Sequence, residues 1–148
     1  MNANVEVLTQ EIRAAFAQVP WPYEVPVKNL TPTTALEIIE DIFLISDSDK
    51  QYELPRIMSV AITEAKPPLL KNLLCRLVEF LDADFYDPDE TNDLPKKRKF
   101  EILSSYSLAQ SAAILRWLKY VQENFAPSIH EEELNSAIKY WGDRVNIA

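Results

Sequence analysis

A single glycine, Gly142, occurs in the whole chain. Glycine supplies the positive φ of tight hairpins and lets backbone approach a phosphate closely. Two-residue β-hairpins and glycine-rich phosphate loops are therefore excluded. Cysteine is as scarce, with Cys75 alone. No internal disulfide can form, which fits a reducing cytosol. Histidine is represented by His130 alone, and one His with one Cys supplies too few soft ligands for zinc. Positive charge is also short. Lys and Arg number 15 against 23 Asp and Glu, a formal net charge of −8. Nucleic-acid binding rests on neutralising phosphates, so this balance argues against it, and equally against an anionic membrane surface. Long hydrophobic runs are missing too. No stretch approaches the ~18 apolar residues of a membrane span. Met1 to Glu11 has neither the basic start nor the apolar run of a signal peptide. The expected location is the cytoplasm.

What remains is ordinary globular material. Hydrophobic residues make up 47% and charged residues 26% of 148 positions. A chain of this length buries roughly 68–70% of its unfolded surface without a metal or disulfide. We expect one domain over residues 1–148. Ten prolines, concentrated between apolar periodic segments, punctuate it.

The periodicity is helical. Val5, Leu8, Ile12, Phe16 and Val19 step by three and four toward Pro20. Pro20-Trp21-Pro22-Tyr23-Glu24-Val25-Pro26 then reads as extended, because proline fixes φ and biases its predecessor. A second helix opens at Thr31-Pro32-Thr33-Thr34, capped by Thr34 with Glu37 or by Thr31 with Pro32 in the first turn. Its stripe is Leu36, Ile39, Ile42 and Phe43. Ser46 to Lys50 reads as a polar loop, with Asp47 and Asp49 as turn residues. A third helix is predicted from about Pro55 to Ala65, with Ile57, Met58, Ala61 and Ile62 inward. Leu69 to Leu81 is apolar on most of its circumference, through Leu70, Leu73, Leu74, Leu77, Val78 and Leu81. Such a helix sits at the centre of a core. Lys71, Asn72, Arg76 and Glu79 form its narrow polar strip, with Cys75 on the border. Asp82 to Lys99 reads as irregular, first acidic and then basic. Ser107 and Gln110 form a capping box before the stripe of Ile114, Trp117, Leu118, Val121 and Phe125. The last helix begins near Ser128 or Glu131 and stripes through Leu134, Ile138, Trp141 and Val145. The predicted fold is all-α, an irregular bundle of about six helices.

Several strings resemble a family of small helical bacterial proteins, a domain of unknown function. They are Glu11-Ile12-Arg13-Ala14-Ala15-Phe16 with Val19-Pro20-Trp21-Pro22, then Tyr52-x-Leu54-Pro55, Phe100-x-x-Leu103, Gln110-x-x-Ala113-Ile114 and Ala137-Ile138-x-Tyr140-Trp141. Family members often carry a Gly-Asp pair after the first proline motif. Tyr23-Glu24 stands there instead, so no role of that pair transfers. The resemblance implies a bacterial helical domain and no activity.

No motif announces chemistry. An EF-hand register started at Asp82 or Asp87 puts Asp87 or Asn92 where glycine is required. Lys96-Lys97-Arg98-Lys99 reads as a solvated or locally paired charge run beside acidic neighbours. His130 lies beside Glu131, Glu132 and Glu133, which suit a helix N-terminus for dipole reasons. Trp117 and Trp141 fall on core stripes. Trp21 and Tyr23, framed by prolines, either cap the core or form a rigid recognition surface. With Asp87, Asp89 and Glu90 they make up the candidate protein-interaction residues; no catalytic, cofactor or metal residue is assigned. The balance favours a non-enzymatic interaction or regulatory module with a basic protein partner, in a chain compatible with homo-oligomers. The alternative is a helical domain binding a small molecule, with or without catalysis, at a site built from residues distant in sequence.

Overall fold

The computed structural model describes residues 3–19, 30–42, 45–84, 96–125 and 131–146. Among them are seven helices and no strand: α1 (Ala3–Ala15), α2 (Pro32–Glu40), α3 (Asp47–Thr63), α4 (Leu69–Leu81), α5 (Lys96–Ser104), α6 (Leu108–Phe125) and α7 (Glu131–Asn146). The all-helical expectation holds, with one helix more than the six predicted.

Two helices organise the packing. Helix α4 lies against α2, α3 and α7, and α6 lies against α1 and α7, while α1 also meets α3. The Leu-rich segment has the predicted limits. Leu73, Leu74, Leu77 and Leu81 are fully buried, and Phe80, absent from the predicted stripe, is buried beside them. Burying each such side chain contributes about 1.5–3 kcal/mol. Two tryptophans tie helices together through polar edges as well as apolar faces. The Trp117 indole N–H donates to the Met58 carbonyl at 3.0 Å, and that of Trp141 to the Leu81 carbonyl at 2.9 Å. A buried indole would otherwise leave its donor unmatched.

Capping sets the helix starts. For α2, Thr31 is the cap: its Oγ1 accepts from the Thr34 amide at 3.2 Å, and Pro32 occupies the first turn. The Ser107–Gln110 box is reciprocal. Ser107 Oγ accepts the Gln110 amide at 3.1 Å, and Gln110 Oε1 accepts the Ser107 amide at 2.9 Å.

Helix α3 corrects two expectations. It begins at Asp47, not near Pro55, so Asp47 and Asp49 lie in its first turn, not in a loop. Ser46 is its cap, accepting from the Asp49 amide at 3.2 Å, and the two aspartates face the positive end of the helix dipole. Pro55 consequently sits inside the helix. It cannot supply the amide hydrogen that the Gln51 carbonyl would receive.

The stretch read as irregular begins where expected, after Leu81, and is corrected at its other end. Lys96 to Lys99 opens α5, and Lys99 is only 5% exposed, its Nζ donating to the Glu79 carbonyl at 2.6 Å. Arg98 pairs with Asp47 at 2.7 Å, a partner about fifty residues away, and with Glu101 one turn along its own helix at 3.7 Å. Asp82 is buried. Its Oδ1 accepts from the Asp84 amide at 3.0 Å and from Ser136 Oγ at 2.7 Å, tying the end of α4 to α7.

Candidate binding site

Helices α1 and α3 leave an open groove of about 350 Å³ between them. Its composition follows from helical spacing. Ile12 and Phe16 stand four residues apart on α1, and Pro55, Ser59 and Val60 on one side of α3, so each helix offers a short row to the other. Val19 and Leu30 also line it. Ile12 and Phe16 are buried and form the floor; Leu30, Pro55 and Val60 are half-buried walls. Between Gln51 and Val60 the wall extends roughly 13 Å at a rise of about 1.5 Å per residue.

The rim is polar and arranged. Arg56 stacks over the Tyr52 ring, 5.1 Å from its centroid, and its Nη1 donates to both carboxylate oxygens of Glu53 at 3.2 Å. Glu53 faces away from solvent, and burial pushes its carboxyl above the ordinary value against the pull of Arg56. Burial likewise raises the Tyr52 phenol. Arg13 projects from α1 on the opposite side, exposed. Among the described residues, Arg13 and Arg56 are the charged side chains of the lining and no carboxylate shares it.

A second cleft, of about 460 Å³, opens at the start of α3 and is lined by Ile45, Ser46, Asp47, Ser48, Lys50, Arg98 and Ile102. Its charges are already matched. Asp47 accepts from Arg98 at 2.7 Å and from the buried Lys50 at 3.4 Å, while Lys50 Nζ also donates to the Ile45 carbonyl at 2.5 Å. The Arg98 guanidinium holds the Asp47 carboxyl below its usual value. This cluster fastens the start of α3 to α5.

Trp21, Tyr23, Asp87, Asp89 and Glu90, with His130, lie outside the described residues. Cys75 is half-buried on α4, at the border where the spacing puts it. Arg13, Tyr52 and Arg56 were not anticipated as site residues. The four-residue step from Tyr52 to Arg56 was the available signal, since it places a guanidinium over a ring on one helix face. Nothing local joins Arg13 to that pair. Among the described residues no group of three or more metal-ligating side chains converges, and no helix is long and apolar enough to cross a membrane. Comparison with protein-family models, curated proteins and solved structures found no match to this chain.

Proposed function

We propose that this chain is a non-enzymatic binding module whose working surface is the groove between α1 and α3. One observation carries the reading. An apolar floor and a rim of Arg13, Gln51, Tyr52, Arg56 and Ser59 converge on one open volume, the combination that defines ligand sites at about 300–1,000 Å³. Arg56 is held by stacking and by its carboxylate partner, so little freedom remains to be lost on binding. The titratable groups beside the groove sit in pairs that hold the wall together, an arrangement suited to recognition.

The same surface accommodates the regulatory role that the sequence favours. The segment carrying Trp21 and Tyr23 is joined to the groove wall at both ends, through Val19 and Leu30. Capture by a basic protein partner would additionally draw on Asp87, Asp89 and Glu90.

Amide chemical-shift mapping with an uncharged apolar probe, N-phenyl-1-naphthylamine, tests the groove. Shifts should cluster on residues 12–17 and 51–60. The variant Ala17→Trp, at an exposed position of the lining, should abolish them without loss of thermal stability. Shifts scattered over the surface, or unchanged in the variant, would remove the groove as the binding surface.

A further inference from the structure

Charge sets the groove apart from its own molecule. The chain carries an excess of eight negative charges, yet among the described residues the charged side chains lining the groove are Arg13 and Arg56. Nearby Glu53 is turned to Arg56, both of its oxygens at 3.2 Å from Nη1, and its side chain is only 12% exposed. The groove therefore presents an apolar floor under a cationic rim. We propose that its ligand is a small amphiphilic anion, a carboxylate carrying a slim apolar tail. The proposal rests on the groove reading above and names what fills it.

Two arguments lead there. The tail lies along Val19, Leu30 and Val60, partly exposed apolar lining that it removes from water. The carboxylate lies toward the exposed Arg13, whose planar guanidinium offers two parallel N–H donors to such a group, while Arg56 on the opposite wall is already paired with Glu53.

The test uses the full chain and three single-tailed probes of equal length: sodium decanoate, decanol and decyltrimethylammonium, each below its micellar concentration. Calorimetric titration should find decanoate bound about tenfold more tightly than decanol, with the cation weaker still. Arg13→Gln, at an exposed position that leaves the core untouched, should bring decanoate down to the affinity of decanol and leave decanol unchanged. If decanol or the cation binds as well as decanoate, or Arg13→Gln has no effect, the anionic ligand is wrong while the groove stands. If none of the three probes binds, the groove itself fails as a ligand site. A decanoate affinity lost equally in Arg13→Gln and Arg116→Gln, a position away from the groove, would reduce the effect to overall charge and overturn the assignment.

Discussion

Tyr106 buries a phenol whose oxygen finds no hydrogen-bond partner among the described residues. The ring is well placed, edge-on to Phe16 and to Trp141 at 6.1 Å each, so packing fixes the residue and the hydroxyl is the misfit. Removing an unsatisfied hydroxyl while keeping the ring removes a desolvation penalty of about 1–3 kcal/mol. Tyr106→Phe should therefore unfold at an equal or higher denaturant midpoint. Burial also holds the phenol well above its ordinary value of 10.0, with the negative charge of Asp47 adding to the rise. The unfolded chain ionises first as pH climbs past that value, so stability present below it is lost above it. The variant should lose less stability than the parent between neutral pH and pH ~11. Asp47 acts on the acid side with the opposite sign. Its carboxyl is held low by Arg98, so its contribution is complete above the unfolded value of 3.8 and vanishes as pH falls through the folded one. Asp47→Asn should lower the melting temperature at pH 7, and the gap should close in strong acid. An unchanging gap would mean that the aspartate acts through something other than its charge.

Single contacts of this kind matter because they join elements, and α7 gives the clearest case. Arg144 donates to Ser111 Oγ at 2.9 Å, to the Ser104 carbonyl at 2.7 Å and to the Tyr106 carbonyl, gripping the turn between α5 and α6. Arg144→Ala should cost about 2–3 kcal/mol, since a charged donor is lost and three acceptors are left behind. On α4 the contrast is between faces. Leu73→Ala or Leu77→Ala should cost about 2–5 kcal/mol, and Arg76→Ala, exposed and paired with Glu79 across one turn, less than about 1. Equal losses at the two kinds of position would mean that α4 does not bury its leucines. The limits of α4 and the reciprocal cap of α6 were legible in the sequence because both signals are local: a stripe in one case, a three-residue spacing in the other. The start of α3 was not, since Pro55 imitates the first turn of a helix while the true cap, Ser46, precedes a polar stretch with no stripe. Helix α5 was hidden in the same way. Arg98 and Lys99 in its first turns oppose the helix dipole, and beside the local Arg98–Glu101 pair what offsets them is tertiary: Lys99 reaching the Glu79 carbonyl and Arg98 reaching Asp47. The groove was illegible for a related reason. It sets Arg13 opposite Arg56, and only the crossing of α1 and α3 brings two such distant stretches together.

At the scale of the molecule, the buried side chains of all seven helices join one cluster. Unfolding should accordingly be a single cooperative transition, the same by circular dichroism and by tryptophan fluorescence. Two separated transitions would divide the chain into more than one folding unit. A core-capping Trp21 would enter this balance as stability, and a recognition residue would not. Trp21→Ala should then show which: a lowered melting temperature with normal binding for the first role, faster dissociation from a bound partner for the second. The break that Pro55 makes in the ladder of α3 has a dynamic consequence. Ahead of it, the turns from Asp47 to Leu54 are fastened by the Ser46 cap, by Asp47 and Lys50 and by the buried Leu54; behind it, Ile57, Met58 and Ala61 are fixed in the core. With no amide at residue 55, one rung between the two is missing, and the first half should open more readily than the second. Backbone amides of residues 51–54 should exchange with deuterium faster than those of 57–61, and Gln51 and Tyr52 stand on the half that opens. One side of the groove is thus built on the more easily loosened part of its helix, and an occupant seated there should be felt first as a slowing of that exchange.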